Sequence, residues 1–424
     1  MTSLDTIFAL SSGAPPAAIA IVRISGPAAG AALRTLAGRL PPERRAATAV
    51  LRDQAGAELD RALVLWMPGP ATATGEDIAE LHLHGGRAVV AAVEATLGAM
   101  QGLRKAQAGE FTRRAFANGR IDLAEAEGLA DLLTAETELQ RRAALAMAGG
   151  ALSQQVDAWQ ALLLALSAQV EAVLDFGDED DVADLPATFS KAVQDLAADL
   201  AEWLDRPSAE PLKEGFRVVL AGPPNAGKST LFNALVEQAA AITAATPGTT
   251  RDVLERPVAI EGVPFTFVDT AGLREEGADA VEHEGVERAK AEFGRADLVL
   301  WLGAEGEGPD GAIEVAAKAD IGPSKASAKF SVSTATGLGV GELKAGLANL
   351  AREALPVPGA AALNRRQRTL LAEAHASLTK VGTSDPLLVA ECLRRTRLAF
   401  DQITGRASIE NMLDALFGRF CIGK

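Results

Sequence analysis

The first third of the chain alternates short apolar runs with turn-forming residues. Residues 19–24 (Ile-Ala-Ile-Val-Arg-Ile), 62–67 and 78–84 are rich in β-branched residues or alternate in polarity, and Pro68-Gly-Pro70 separates the last two. This pattern predicts β-strands. Residues 89–100 keep apolar positions at helical spacing, which predicts a helix. We therefore expect a small α+β domain over residues 1–117.

Helical periodicity replaces the strand pattern beyond this region. The segments are rich in Ala and Leu, and Pro207 follows one of them, as is typical after a helix end. They predict an all-α domain in two parts, residues 118–214 and 356–424. The expected helices cover 122–149 as one long helix, then 159–174, 189–204, 370–381, 386–400 and 409–417.

A different pattern lies between the two helical parts. Residues 217–220 are apolar and strand-like, and residues 222–230 (Gly-Pro-Pro-Asn-Ala-Gly-Lys-Ser-Thr) follow directly. Residues 263–268 and 297–302 are further apolar strand candidates. We predict an α/β Ras-like P-loop GTPase domain over residues 215–355, inserted in the helical domain. Such an insertion costs little when the ends of the inserted module lie close together.

Length and charge limit what the chain can do. Its 424 residues are too many for one core, which agrees with a multidomain protein. The net charge of −15 makes nonspecific nucleic-acid binding unfavourable, so any RNA contact requires local basic patches. We interpret most of the basic clusters as solvated helix faces. They are Arg104-Lys105, Arg113-Arg114, Arg141-Arg142, Arg365-Arg366 and Arg394-Arg395.

Two cysteines, Cys392 and Cys421, cannot build a disulfide framework or a metal cage. The first residues lack both the basic and the apolar part of a signal peptide. The longest apolar run, residues 161–166, is far too short to span a bilayer. We expect a cytoplasmic protein that has no membrane segment.

The P-loop pattern is specific because all its positions are present between a strand and a helix. Its glycines let backbone N–H groups surround an anion, and the helix N-terminus adds partial positive charge. Lys228 is expected to reach the β- and γ-phosphates, and Ser229 to ligate Mg²⁺.

The remaining nucleotide motifs follow in the expected order. Thr250 lies on a Gly/Pro-marked loop, where a hydroxyl can ligate Mg²⁺ and contact the γ-phosphate. Asp269 starts a D-x-x-G turn after a strand. Asp320 offers a carboxylate to the N–H donors of guanine, which favours GTP over ATP. The predicted GTP-binding residues are Asn225, Ala226, Gly227, Lys228, Ser229, Thr230, Ala244, Ala245, Thr246, Pro247, Gly248, Thr249, Thr250, Asp269, Thr270, Ala271, Gly272, Ala317, Lys318, Ala319, Asp320, Ser333 and Thr334.

Two positions depart from ordinary GTPase motifs. Ala317 stands where N-K-x-D would have asparagine, and the lost hydrogen bond is worth about 1 kcal/mol. Leu273 stands where small GTPases place a glutamine that orients the attacking water. Hydrolysis still needs a positive charge at the γ-phosphate and a group that holds water.

Charged residues also interrupt the N-terminal strands. Arg23 and Glu80 lie within otherwise apolar runs, either as edge residues that face water or as ligand contacts. His82 and His84 lie two apart on one strand, but without a third nearby ligand a metal site is not expected.

Short motifs recur near both ends of the chain, in residues 5–7, 22–26, 75–77, 84–86, 109–112, 115–118, 122–124, 126–127 and 420–424 (Phe-Cys-Ile-Gly-Lys). In this order they resemble the MnmE (TrmE) family of tRNA-modifying GTPases. The resemblance covers nearly the whole chain, and the end motifs are more specific than the P-loop. One departure is Ala73, where the family usually has an aromatic residue.

The resemblance implies a folate-binding N-terminal domain that dimerises. Arg23, Glu80, Arg120 and Lys424 fall on the folate-contacting positions, and Cys421 falls near the one-carbon site. From position alone, a frayed terminus is the favoured interpretation of residues 420–424, and only the resemblance shifts it toward a function. The folate would be 5,10-methylenetetrahydrofolate, or 5-formyltetrahydrofolate as a bound analogue.

The resemblance also implies how GTP is hydrolysed. Asn225, Ala244, Thr246 and Thr249 would hold K⁺ in place of an arginine finger, and Glu282 would position the water. Without the resemblance, Glu282 is one of several acidic residues on a solvated surface. The residues expected to serve catalysis are Glu282, Lys228, Asn225 and Cys421.

By the same resemblance, the chain acts as a homodimer with an FAD-bearing partner, MnmG, in a heterotetramer. Together they would add a carboxymethylaminomethyl or aminomethyl group at C5 of the wobble uridine of certain tRNAs. The alternative function is a regulatory or ribosome-assembly GTPase that performs no base chemistry. It requires the nucleotide motifs but no folate pocket.

Overall fold

The computed structural model describes residues 5–176, 185–237, 240–241, 254–269, 292–321, 325–357, 359–381, 385–407, 410–418 and 420–423. Two compact units divide the chain: Met1–Ala130 with Asp401–Lys424, and Asp131–Phe400. The limits predicted for the four domain segments remain predictions. Among the described residues, no helix is sufficiently long and apolar to cross a bilayer.

The first unit contains a sheet with helices on its surface. Its elements are β1 (Thr6–Leu10), β2 (Ile19–Ser25), α1 (Ala29–Ala37), β3 (Ala47–Arg52), β4 (Glu58–Met67), β5 (Ile78–His84), α2 (Arg87–Gly98), β6 (Leu103–Lys105), α3 (Glu110–Ala117) and most of α4 (Leu123–Thr134).

The N-terminal sheet has the order β3-β4-β5-β2-β1-β6, and only the β1–β6 pair is parallel. Period-two alternation places Val22, Ile24 and Leu81 on one face, in the core with α1 and α2. The second face carries Arg23 and Glu80. The predicted α+β class of this domain is confirmed.

The second unit contains the helical segments and a second sheet. Its elements are α5 (Glu138–Ala148), α6 (Ala151–Phe176), α7 (Ala187–Asp205), α8 (Glu210–Glu214), β7 (Phe216–Ala221), α9 (Lys228–Glu237), β8 (Ala240–Ala241), β9 (Leu254–Ile260), β10 (Val263–Asp269), β11 (Leu298–Trp301), β12 (Ile313–Ala317), β13 (Phe330–Val332), α10 (Val340–Ala354), α11 (Arg365–Leu378) and most of α12 (Pro386–Thr404). Helix α13 (Glu410–Phe417) belongs to the first unit.

The prediction of one long helix over residues 122–149 is wrong. The segment forms α4 and α5 with a break between them, and Thr137 caps the start of α5. The Thr137 hydroxyl accepts the N–H of Gln140, whose side-chain oxygen accepts the N–H of Thr137. This capping box satisfies backbone donors that a continuous helix would bond internally, so it competes with continuation.

Aromatic packing forms the core of the helical region. Trp159 is fully buried, and its Nε1 donates to Asp199 Oδ2 at 2.7 Å. Its ring lies 5.6 Å from the rings of both Trp203 and Phe400. Trp159 and Trp203 precede the inserted module and Phe400 follows it, so the two sequence segments share one core.

A second link joins the same two segments at the end of α7. The Arg368 guanidinium of α11 donates to the carbonyl oxygens of Leu204 and Arg206, the latter at 3.0 Å. The last carbonyls of a helix have no partner within the helix, so a side chain from elsewhere can satisfy them. Nearby, the Ala209 N–H donates to the Leu363 carbonyl at 3.0 Å. The two ends of the inserted module therefore lie side by side.

The inserted module is built on the sheet β13-β12-β11-β7-β10-β9-β8. The strands from β13 to β10 are parallel, and β9 and β8 extend the edge in antiparallel fashion. Phe265, Phe267 and Leu220 are fully buried in it. The predicted α/β domain inserted in a helical domain is confirmed.

Replacing Arg368 with alanine should lower the midpoint of urea unfolding, measured by tryptophan fluorescence. The change removes the charged donor to the part-buried carbonyls of Leu204 and Arg206, and a hydrogen bond to a charged group is worth about 1.5–3 kcal/mol. Arg141→Ala is the control, because this exposed arginine contacts the exposed Glu138 and should leave the midpoint unchanged. Equal midpoints for wild type and Arg368→Ala would contradict this account.

Candidate functional site

The P-loop leaves the carboxyl end of β7 in a tightly curled conformation. Gly222, Asn225 and Gly227 have φ values of 145°, 61° and 99°. A Cβ on Gly222 would lie 3.0 Å from the Gly303 amide nitrogen, so a side chain has no room there. Glycine permits such backbone angles, and asparagine tolerates them better than most residues.

Lys228 begins α9 and is buried, with 7% of its surface exposed. Its Nζ donates to the carbonyl oxygens of Gly222 and Pro223, both at 2.9 Å. The ammonium group is thus held against the loop, where a P-loop lysine can neutralise phosphate charge. Ser229 and Thr230 are exposed in the first helical turn, and Ala226 is half-buried. This donor set fits a triphosphate with Mg²⁺.

Asp269 ends β10 at the same edge of the sheet. Asp269 pairs in register with Leu220 of β7, the strand that directly precedes the P-loop. Only 1% of the surface of Asp269 is exposed. Carboxyl ends of adjacent parallel strands meet at one edge, where ligands of α/β sheets bind. A buried carboxylate beside the P-loop fits the predicted role of Asp269 near Mg²⁺ and the γ-phosphate.

The predicted base-binding residues lie at this edge too. Ala317 ends β12, and Lys318 follows with φ of 58°. The Lys318 Nζ donates to the Asn225 carbonyl at 2.8 Å, which ties the turn to the P-loop. Ala319 donates its N–H to the Val332 carbonyl, while Asp320 is exposed. Ser333 is fully buried and Thr334 is half-buried.

Several predicted residues lie outside the described part of the chain. They include the loop proposed to hold K⁺ and Mg²⁺, the D-x-x-G turn after Asp269, and the proposed water-positioning acid. These residues are Ala244, Ala245, Thr246, Pro247, Gly248, Thr249, Thr250, Thr270, Ala271, Gly272, Glu282 and Lys424.

In the first unit, Arg23 and Glu80 form an ion pair across two interior strands. Both Arg23 Nε and Nη2 lie 2.9 Å from Glu80 Oε1. The interpretation of these charges as edge residues is wrong, because β2 and β5 each have neighbours on both sides. The guanidinium lies 5.8 Å from the Phe111 ring, and His82 Nε2 lies 3.4 Å from Glu80 Oε2. His84 instead contacts Asp60 through Nδ1 at 2.7 Å.

A loop between β4 and β5 connects this pair with Arg120. Ser25, two residues beyond Arg23 on the same strand face, bonds to the hydroxyl of Thr74 and donates to Glu76, both at 2.7 Å. Arg120 Nε donates to the Thr72 carbonyl in the same loop at 3.1 Å. One loop thus contacts Arg120 and the strand that carries Arg23.

The C-terminal segment, residues 420–423, returns to the first strand. Ile422 forms an antiparallel bridge with Ala108. A Cβ on Gly423 would lie 2.1 Å from the Leu10 carbonyl oxygen, so only glycine permits this approach. Leu10 follows Ala9, which pairs directly with Arg23. The frayed-terminus interpretation is therefore wrong for residues 420–423. Cys421 is exposed.

The burial of one residue in this region was not predicted from the sequence. Arg114 has 6% of its surface exposed and contacts Asp5, Glu76 and Glu110 at 2.9–3.2 Å. Burial raises the pKa of the Glu110 carboxyl, but hydrogen bonds from Arg104 and other donors outweigh it, and the net shift is downward. The solvated-face interpretation is wrong for Arg114. Its spacing of four residues from Glu110 was the signal that an ion pair could form.

Comparison with known proteins gives matches along the whole chain. The family model for the GTP-binding protein TrmE N-terminus matches residues 6–120, and the MnmE helical domain model matches residues 123–421. The tRNA modification GTPase MnmE of Novosphingobium aromaticivorans is 63% identical over 435 residues, covering 99% of this chain and 100% of that protein. The Erythrobacter litoralis protein of the same name is 60% identical, with 99% and 100% coverage.

Among solved structures, Era of Aquifex aeolicus bound to GDP and AlF4− aligns at 24% identity and a TM-score of 0.24. The alignment covers 40% of this chain and 69% of that chain. That likeness is too low to support an inference. The full-length identity to the curated relatives, together with the P-loop and the family-model matches, places the chain in the MnmE family of tRNA modification GTPases.

Proposed function

We propose that the chain is a K⁺-activated GTPase that works with the FAD-bearing protein MnmG on tRNA. The pair adds a carboxymethylaminomethyl or aminomethyl group at C5 of the wobble uridine, with methylenetetrahydrofolate as the carbon source. The main support is that Gly423 lies against Leu10, in the strand next to the one that carries Arg23. A GTPase that acted only as a regulatory switch would not need this arrangement.

The P-loop residues have distinct parts in the hydrolysis of GTP. Lys228 stabilises negative charge that develops on the phosphates, and Ser229 and Thr250 would ligate Mg²⁺. Asn225, with Ala244, Thr246 and Thr249, would hold K⁺, which would supply the positive charge of an arginine finger.

Asn225 suits this role for two reasons. Lys318 donates a hydrogen bond to the Asn225 carbonyl and so holds its left-handed backbone, and Asn225 is exposed at the loop. Glu282 would hold the attacking water in place of the glutamine that Leu273 replaces. Reaction at the γ-phosphate thus depends on an amide and an acid from separate segments of the chain.

The N-terminal sheet offers the groups that a reduced folate requires. Glu80 is an acceptor for the N–H donors of a pterin ring, and the arginines Arg23 and Arg120 suit carbonyl or carboxylate oxygens. Lys424 would add a further cation from the C-terminus. Cys421 is exposed, which leaves its thiol accessible to a one-carbon unit.

The same sheet face supports a homodimer. Exposed Ile19 and Leu63 lie on strands beside His82, with 57% and 37% of their surfaces accessible. Apolar residues exposed around polar ligand groups are typical of an interface. We propose that this dimer binds MnmG and tRNA in the cytoplasm as a heterotetramer.

Loss of the chain should remove the C5 modification from the wobble uridine of its target tRNAs. Nucleoside analysis by mass spectrometry of tRNA from a deletion strain measures this directly. Wild-type chain supplied in trans should restore the modified nucleoside, and Lys228→Ala should not, because phosphate charge would lack its partner. An unchanged nucleoside profile in the deletion strain would refute the tRNA assignment.

GTP turnover should be faster in KCl than in NaCl at equal ionic strength, by about tenfold or more, because K⁺ stabilises the transition-state charge. Phosphate release gives the rate, and equal rates in the two salts would exclude K⁺ activation.

The Glu282→Ala variant should keep its affinity for GTP and lose turnover. The Glu275→Ala variant, changed seven positions earlier in the sequence, should retain both.

The full-length chain should bind 5-formyltetrahydrofolate, and Glu80→Gln should weaken binding by about tenfold. The amide keeps the shape of the side chain but offers one acceptor instead of a carboxylate, and it weakens the pair with Arg23. Isothermal titration calorimetry measures the affinity, with the exposed Glu58→Gln as control. A wild-type chain that binds no reduced folate would favour the regulatory switch.

A further inference from the structure

We infer that this GTPase recognises guanine through the base's N–H donor edge and leaves the N7 acceptor without a side-chain contact. Asp320 would provide the recognition, and Ala317 marks the missing contact. The inference rests on the proposed GTPase function and on the base site predicted from the sequence. It concerns which purine nucleotides the chain accepts.

The two edges of guanine need opposite partners. N1–H and the 2-amino group are donors, whereas O6 and N7 are acceptors. An ionised carboxylate such as Asp320 can only accept hydrogen bonds, so it is suited to the donor edge. A contact to N7 requires an N–H or O–H donor on the other side of the base.

Ala317 places a methyl group where such a donor would be expected. It ends β12, and its Cβ lies 3.7 Å from where a Cβ on Gly227 of the P-loop would be. The side chain at position 317 therefore points toward the P-loop, within reach of a nucleotide held there. A methyl group neither donates nor accepts a hydrogen bond.

Three donors around Ala317 make hydrogen bonds within the protein. The Lys318 Nζ donates to the Asn225 carbonyl at 2.8 Å, and the Ala319 N–H donates to the Val332 carbonyl at 3.0 Å. The Ser333 N–H donates to the Leu338 carbonyl at 2.9 Å. These bonds hold the base-binding turn in shape without an amide at position 317, and they commit the backbone N–H groups of Ala319 and Ser333 to protein acceptors.

Affinities of the full-length wild-type chain for GTP, 7-deaza-GTP and ITP test the inference, by displacement of a fluorescent GDP analogue. 7-Deaza-GTP lacks the N7 acceptor, and ITP lacks the 2-amino donor. We expect GTP and 7-deaza-GTP to bind within about threefold of each other, because no side-chain hydrogen bond to N7 would be lost. If such a bond existed, its loss would weaken binding by up to about tenfold. ITP should bind more weakly than GTP, by about tenfold or more, because the Asp320 carboxylate would lose the 2-amino group as a hydrogen-bond donor.

Two substitutions of Ala317 show whether the amide is the missing group. Ala317→Asn should bind GTP about three- to tenfold more tightly than wild type and should discriminate against 7-deaza-GTP. Ala317→Leu has nearly the same shape without the amide and should show no such discrimination. If the variants fail to fold, the wild-type affinities alone decide.

Preference of the wild type for GTP over 7-deaza-GTP by more than threefold would overturn the inference, because some donor would then contact N7. Equal binding of ITP and GTP would overturn the assignment of Asp320 to the donor edge. Neither result bears on the tRNA function, which fails separately if the nucleoside profile of the deletion strain is unchanged.

Discussion

The closure of α7 against α11 is the constraint on which the second unit depends. Arg368 satisfies the last carbonyls of α7, and the Ala209–Leu363 hydrogen bond follows a few residues later. These contacts bring together segments separated by the entire nucleotide-binding module. Because the ends of that module are adjacent, its sheet can form a core that also includes Ala143 of α5 and Leu212 of α8. The P-loop is therefore built on a scaffold that is fixed at both ends.

The two candidate sites depend on the chain in different ways. The described part of the nucleotide site is assembled from strand ends of one sheet: the P-loop follows β7, Asp269 ends β10, and Ala317 ends β12. The folate site instead combines β2 and β5 with the loop that contains Thr72 and with residues from the far end of the sequence. The first is a local property of an α/β module, and the second exists only after distant parts of the chain meet.

This difference explains what the sequence could predict. The P-loop, β10 with Asp269, and strands such as Ile78–His84 follow from short periodic patterns, and the structure has them within a few residues. The break at Thr137 was missed, because a capping box competes with helix continuation through side-chain bonds that periodicity does not include. The Arg23–Glu80 pair and the burial of Arg114 depend on strand order and on partners far along the chain. Of these contacts, only the pair of Arg114 with Glu110, four residues away, has a local signal in the sequence.

The position of Gly423 against Leu10 has a consequence for biosynthesis. The N-terminal sheet leaves the ribosome before residues 420–423, yet Leu10 in its first strand meets Gly423 only when those residues have been made. The helical region and the whole nucleotide module must be synthesised in between. The P-loop module can thus fold on a nascent chain before the N-terminal sheet has gained all its contacts.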